Sequence, residues 1–132
     1  HGEHGQVRGG AAVLLDQVCL DVPPAAWDAE VAFWPALTGW PARSGVSGEF
    51  VPLVRPDGIP VRVLLQRLRE GDGPVRGHVD LACADRPAAV ARHVAAGARV
   101  IGEGARWAVL ADPVGRVHCL TDRDPATGLL PT

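Results

Sequence analysis

Two side chains that could contact a ligand stand at matching points of the chain. Gln17 opens the segment QVCLDV and His78 opens the segment HVDLACAD, and a proline follows closely after each. Imidazole titrates near neutral pH, so His78 could be a hydrogen-bonding group in a pocket or a metal ligand. His78 could equally be an imidazole at a strand end that bonds to backbone or water. These patterns assign no catalytic residue.

Cys119 and Trp107 lie in apolar segments of the C-terminal half that are typical of strands. A thiolate can bind zinc, but a cysteine in an apolar strand is usually a small buried residue. Trp107 could stack on a planar ligand or pack in the core. His118 alternates with Cys119, so we expect His118 to face the helices when Cys119 faces the opposite side of the sheet.

Composition and motifs exclude several classes of protein. The formal net charge is −2 with no long basic run, so we expect no nucleic-acid partner. No apolar run approaches the roughly 20 residues of a membrane span. The three cysteines form no CxxC pair, which favours reduced thiols and a cytoplasmic location. Walker, HExxH and GxSxG motifs are absent.

The 132 residues suit one domain flanked by two tails. Residues 1–11 are polar and glycine-rich, which predicts a disordered tail or a remnant of an added segment, where two histidines, His1 and His4, could bind a metal. Residues 12–123 are predicted to be the domain and residues 124–132 a C-terminal tail.

The first half of the domain predicts a strand, a helix and a hairpin. A Val- and Leu-rich strand spans 12–22, and a helix follows from about Ala25 to Leu37, ended by Gly39. Trp27, Val31 and Trp34 form its apolar face, and Pro35 should kink the last turn or end the helix early. Strands at Glu49–Val54 and Val61–Leu68 flank the turn residues Pro56, Asp57 and Gly58.

The second half repeats this order after a charged, glycine-rich linker. The strand GHVDLACAD leads to Asp85 as an N-cap and to a helix over Arg86–Ala96. RVIGEG and RWAVLAD are predicted strands, DPVG a turn and RVHCLTD the last strand. Each half therefore reads βαβββ, which indicates an internal duplication of about 60 residues. Module one covers 12–70 and module two 75–123.

The segments HVDLACAD, VARHVAAGARV and WAVLADPVGRVHCL resemble the second half of glyoxalase-like domains of the vicinal oxygen chelate superfamily, which also holds bleomycin-resistance proteins and extradiol dioxygenases. FWPALTGW and VLLQRL resemble parts of the first half, and the resemblance covers about residues 12–123. It implies an α+β fold in which two βαβββ modules form a cupped mixed sheet with helices on its outer face.

The resemblance also implies positions for metal ligands. Metal enzymes of the superfamily use a His or Gln at the head of each module's first strand and a Glu in each last strand. Gln17 and His78 match the strand heads, Cys119 stands in one glutamate position, and Leu65, within a residue either way, stands in the other. Hard dications prefer oxygen ligands, so we expect no metal cofactor, or a weakly held divalent ion at His78, Gln17 and Cys119.

The resemblance leads to two interpretations of function. One is a glyoxalase-like protein whose small-molecule pocket is lined by Gln17, His78, Trp107, Cys119 and Leu65, related to lyases, isomerases or dioxygenases of unknown substrate. The alternative is a bleomycin-resistance-like protein that sequesters an aromatic drug or metabolite. A regulatory scaffold is a third. We expect a homodimer, and whether modules pair within one chain or swap between chains stays open.

Overall fold

The computed structural model describes residues 13–43 and 48–131. The predicted N-terminal tail, with His1 and His4, lies outside these residues. The elements in chain order are β1 (Val13–Val22), a 3-10 helix (Pro24–Ala26), α1 (Trp27–Thr38), β2 (Phe50–Pro52), β3 (Arg62–Arg67), β4 (Arg76–Cys83), α2 (Arg86–Ala95), β5 (Arg99–Glu103), β6 (Trp107–Ala111) and β7 (Val117–Thr121).

Hydrogen bonding joins the strands into one mixed sheet in the order β2-β3-β1-β4-β7-β6-β5. The first and last strands of each half pair in parallel, β1 with β3 and β4 with β7. This shared pairing fits the predicted duplication. The mixed sheet and two α-helices confirm the predicted α+β class. The second half has the full βαβββ order. The βαβββ order implies one more strand in the first half. There, the described residues form only an isolated antiparallel β-bridge, between Ala42 and Leu53.

Contacts divide the chain into two compact units, residues 17–78 and residues 79–131 with 13–16. The boundary falls inside β1 and β4, so both strands contribute to each unit. The predicted module limits at residues 70 and 75 remain a prediction.

The unit of residues 17–78 contains the predicted hairpin. β2 and β3 pair antiparallel, with Val51 opposite Leu65, and the turn between them includes Gly58 at φ +88°. Both strands are shorter than predicted. β1 lies beside β3 in register, with Leu20 opposite Leu65. Leu65 is completely buried, which makes it part of the apolar side of this unit.

Helix α1 continues past Pro35, so the predicted early end is wrong. Pro35 has no N–H to donate to the carbonyl four residues earlier, and the helix nevertheless runs on to Thr38. The carbonyl of Pro35 accepts from Gly39 N–H at 2.9 Å, and Gly39 ends the helix at φ +74° as predicted. The whole of α1 is described, and none of its residues is fully buried. Its Phe33 and Leu37 are exposed.

The unit of residues 79–131 has a compact core under α2. Ala89 of the helix packs with buried side chains of β4, β6 and β7, which are Cys83, Ala108, Leu110 and Leu120. The Asp85 carboxylate accepts from Ala88 N–H at 3.1 Å, which confirms the predicted N-cap.

The predicted turn DPVG joins β6 to β7. Asp112 accepts from the N–H groups of Val114 and Arg116, and the Arg116 hydrogen bond is the main reason that the pKa of Asp112 is lowered. The predicted C-terminal tail folds back in a short turn, in which Gly128 N–H donates to the Asp124 carbonyl at 2.6 Å.

Candidate functional site

One face of β1 carries three polar or reactive side chains in the unit of residues 17–78. Successive side chains of a strand point to opposite faces, so Gln17, Cys19 and Asp21 lie on the same face. Gln17 and Cys19 are buried, with 6% and 2% of their surfaces exposed, while Asp21 is half-buried. Buried polar groups need hydrogen-bond partners, so the atoms around these side chains determine what chemistry this strand face can perform.

His78 of β4 contacts this face through Asp21. Its Nδ1 lies 2.7 Å from Asp21 Oδ2, and the two side chains keep 14% and 22% of their surfaces exposed. An ionised carboxylate can only accept, so Nδ1 carries the proton and donates it. The basic lone pair of the neutral ring is then on Nε2. The carboxylate also stabilises the imidazolium that forms when Nε2 takes up a proton.

The buried thiol of Cys19 adjoins the same pair. Its Sγ lies 3.7 Å from Asp21 Oδ1 and 3.6 Å from Gln66 Oε1. Gln66 stands opposite Asp21 in the parallel pairing of β1 and β3. The sulfur therefore faces two oxygen atoms. Cys19, Asp21 and His78 each bring a possible metal-ligand atom within 4.8 Å of the others.

The structure places Gln66 rather than Leu65 on this face. Leu65 stands opposite Leu20, on the other side of the sheet from Cys19 and Asp21, and it has no exposed surface. The sequence analysis assigned this position to Leu65 within a residue either way, and Gln66 is the residue of that range that lies on the face of Cys19 and Asp21. The cause is the alternation of strand side chains, which moves every residue to the other face when the register shifts by one.

The family positions for a metal do not fit a hard dication in this chain. They hold Gln17, Gln66, His78 and Cys119, which offer two neutral amides, one imidazole and one thiol. Mg²⁺ and Mn²⁺ favour carboxylate and other oxygen ligands. Within the unit of residues 17–78, Asp21 brings a carboxylate to His78, and it lies four residues beyond Gln17 on β1.

Cys119 belongs to the unit of residues 79–131. It is half-buried on β7, opposite Asp80 of β4 and Val109 of β6. Asp80 is buried, with 8% of its surface exposed. All three cysteines are thiols rather than disulfides. The expectation of reduced thiols is consistent with this state.

Trp107 stands at the start of β6 with 46% of its surface exposed. Its ring lies over Gly104, where an added Cβ would overlap the indole. Arg86 fixes the same segment, since its guanidinium donates to the carbonyls of Ala105 and Trp107 and to the Asp122 carboxylate at 2.6 Å. The indole therefore packs against its own turn, and the residue stays half-exposed.

His118 faces helix α2, as its alternation with Cys119 predicted. His93 Nδ1 and His118 Nε2 lie 3.0 Å apart. Burial, then the neighbouring His118 and Arg92, lowers the pKa of His93. This pair joins the helix to the sheet, which is a structural role.

Two of the surface depressions formed by the described residues lie away from Asp21 and His78, one in each unit. One of about 430 Å³ is lined mainly by the C-terminal segment, including Asp122, Pro125 and Leu129. The other, of about 470 Å³, adjoins Glu49 and Arg67. Burial is the main cause that raises the pKa of the Cys83 thiol at the edge of the first depression.

Sequence reasoning did not place Cys19 and Asp21 in the site, and it included Gln66 only through the margin of one residue given for Leu65. The period of two along β1 could have indicated the first two, because they follow Gln17 at alternate positions. The contact of Asp21 with His78 depends on strand pairing over 57 positions of sequence, which no local pattern reveals.

The mixed seven-stranded sheet with two helices is consistent with a domain of the glyoxalase class, and the sequence comparison agrees. The family described as "Glyoxalase-like domain" matches residues 17–121. The chain belongs to this family, which confirms the resemblance to the vicinal oxygen chelate superfamily. No curated protein matches the chain significantly.

A solved structure shares the fold. It is a single-substitution variant of Streptomyces coelicolor methylmalonyl-CoA epimerase in complex with 2-nitronate-propionyl-CoA, with a TM-score of 0.56 and 19% sequence identity. The alignment covers 81% of this chain and 94% of the epimerase chain. At this identity the likeness concerns the fold. Among the described residues, no helix is long and apolar enough to cross a membrane.

Proposed function

We propose that this chain is a glyoxalase-like enzyme that transfers a proton at a carbon next to a carbonyl group of a small molecule. His78 is the general base and Asp21 orients it. The observation that carries the proposal is the contact of 2.7 Å between His78 Nδ1 and Asp21 Oδ2. A carboxylate that fixes the tautomer of a histidine is a recurrent arrangement in acid–base catalysis.

The proton transfer conserves atoms and electrons without a further reactant. Nε2 of His78 takes the proton from the carbon, and the electron pair of the broken C–H bond moves onto the carbonyl oxygen as an enolate. The Asp21 carboxylate stabilises the resulting imidazolium. Return of the proton to the carbon restores His78. Return of a solvent deuteron, or protonation of the other face, gives exchange or epimerisation.

The shared fold with an epimerase supports a trial of acyl thioesters. The solved relative is named a methylmalonyl-CoA epimerase, and epimerisation at such a carbon requires removal of the proton. The identity of 19% leaves the substrate of this chain open to a wider panel. We therefore take methylmalonyl-CoA as one member of a panel of thioesters, ketones and 2-oxo acids with an acidic α hydrogen.

The test is deuterium incorporation from D₂O, followed by the loss of the α-proton signal in NMR spectra of the panel. We expect His78→Asn and Asp21→Asn to slow exchange by about 10² to 10⁴-fold, the range in which a positioned general base contributes. Asp21→Asn keeps the size of the side chain and removes the anion that holds the Nδ1–H tautomer.

His118→Asn is the matched control. It removes a histidine that contacts α2 rather than Asp21, so exchange should continue at the wild-type rate. Exchange that survives Asp21→Asn and His78→Asn unchanged would contradict the proposal. Absence of exchange for every compound in the panel, with the fold intact, would favour the second function.

The second function is sequestration of an aromatic ligand, and Trp107 is the observation that favours it. The residue is 46% exposed and its indole packs over Gly104, and an exposed indole can stack on a planar ligand. The chain has four tryptophans, so fluorescence quenching must be compared with Trp107→Phe. Saturable quenching that disappears in this variant, without turnover of the ligand, would support sequestration.

We also propose that the protein acts in the cytoplasm as a homodimer. Thiol cysteines support a reducing compartment. The exposed apolar side chains of Phe33 and Leu37 on α1 support association with a second copy, since large apolar surfaces commonly mark interfaces.

A further inference from the structure

Three different ligand types meet on the strand face that holds the proposed base. Sulfur comes from Cys19, a carboxylate from Asp21 and an imidazole from His78, with all three donor atoms within 4.8 Å of one another. In tetrahedral zinc sites the metal–ligand bond lengths place neighbouring donor atoms about 3.4 to 3.6 Å apart. The distance of 3.7 Å from Cys19 Sγ to Asp21 Oδ1 is close to this value.

The charge and softness of these donors select a class of metal. A thiolate and a carboxylate together carry two negative charges, which balance a divalent cation. Sulfur and imidazole favour Zn²⁺ and Co²⁺ over Mg²⁺ or Ca²⁺. A fourth donor is available, because Gln66 Oε1 lies 3.6 Å from Cys19 Sγ.

We propose that Cys19, Asp21 and His78, with Gln66 Oε1 as the fourth donor, bind a soft divalent metal such as Zn²⁺. The site shares His78 and Gln66 with the positions that the family resemblance assigns, but Cys19 and Asp21 take the place of Gln17 and Cys119. It shares His78 with the proposed proton transfer. Binding of the metal is measured without substrate, and its outcome is therefore separate from that of the catalytic proposal.

Binding changes two protons in a defined way. The Cys19 thiol loses its proton to solvent as the thiolate forms. The Nδ1 proton of His78 moves to Nε2, so that Nδ1 can donate its lone pair, and the hydrogen bond of 2.7 Å to Asp21 is replaced by ligation. One proton is released for each metal ion bound, and this release is measurable in weakly buffered solution.

The test is titration of the full chain with Co²⁺, which reports thiolate ligation through a charge-transfer absorption in the near ultraviolet, followed by displacement with Zn²⁺. We expect one Co²⁺ per chain and one proton released. Cys19→Ser should remove the absorption, and it should weaken binding by at least about 100-fold, the upper end of the loss seen when even supporting groups of metal sites are removed.

Two controls and a second test variant identify the ligands. Cys83→Ser removes a thiol that is as buried as Cys19, with 2% of its surface exposed. A variant with both His1→Ala and His4→Ala removes the N-terminal histidines. Both variants should bind Co²⁺ as the wild type does. Because Cys19→Ser alters a buried position, Asp21→Asn provides a second test at a partly exposed residue and should weaken binding comparably. Circular dichroism and thermal unfolding confirm that each variant is folded.

The contradictory results are distinct. Absorption that persists in Cys19→Ser and disappears in Cys119→Ser would move the site to the family position and overturn the proposal. Binding that depends on His1 and His4 would overturn it as well. A failure to bind Co²⁺ or Zn²⁺ at millimolar concentration would have the same meaning, and it would leave the proton-transfer test unaffected.

Discussion

Glutamate substitutions at two adjacent positions, Leu65 and Gln66, should have opposite consequences. Leu65 has no exposed surface, whereas Gln66 is half-buried and faces the Cys19 sulfur at 3.6 Å. Leu65→Glu removes a fully buried apolar side chain, which costs about 2 to 3 kcal/mol. It also buries a carboxylate, at a cost of several kcal/mol.

The sum for Leu65→Glu is at least about 5 kcal/mol, which equals the whole stability of many small domains. This variant should be unfolded or severely destabilised. Gln66→Glu preserves side-chain size, and repulsion from Asp21 should cost about 1 kcal/mol at ordinary salt concentration. It should also tighten Co²⁺ binding, because a carboxylate replaces a neutral amide near Cys19.

Urea unfolding followed by tryptophan fluorescence gives the free energies, and Co²⁺ titration gives the affinities. Leu65→Ala is the neutral control and should lose about 2 to 5 kcal/mol through the cavity that it leaves. A stable Leu65→Glu protein that gains metal affinity, together with an unfolded Gln66→Glu protein, would refute the assignment of the two side chains to opposite faces.

Three further predictions concern the rest of the chain. The pKa of His93 is lowered in the folded protein, so on acidification the unfolded chain takes up this proton first. The contribution of His93 to stability should therefore be complete above about pH 6.5 and should be lost as the pH falls through the lower pKa of the folded state. In His93→Asn, the urea midpoint of unfolding should depend less on pH over this range. Gly104→Ala should reduce the free energy of unfolding by about 1 to 3 kcal/mol and change the fluorescence emission of Trp107, because the added methyl group overlaps the indole ring. An unaltered urea midpoint and emission spectrum would contradict the packing of the indole on Gly104. Light scattering should give the mass of a dimer, and a monomer at high concentration would count against the homodimer.

The elements that the sequence predicts best are those defined by local chemistry. Asp85 caps α2 and Asp112 closes the last turn because each carboxylate bonds to N–H groups only a few residues away. Gly39 ends α1 because its left-handed backbone is open to glycine. Such interactions require no knowledge of distant partners.

The site depends on distant partners, and its prediction was correspondingly incomplete. The sequence analysis named His78 as a candidate but not Asp21, since their contact needs β1 and β4 to meet. The choice between Leu65 and Gln66 depends on strand register, and one residue changes the face. The role of His78 stays a proposal until exchange is measured.

The tautomer of His78 tests the central claim most directly. Two-dimensional ¹H–¹⁵N NMR of the imidazole rings distinguishes a protonated from an unprotonated nitrogen. At neutral pH the Asp21 carboxylate should hold the proton on Nδ1, and Asp21→Asn should shift the population toward Nε2–H. A wild-type ring with its proton on Nε2, unchanged by Asp21→Asn, would contradict the proposed general base.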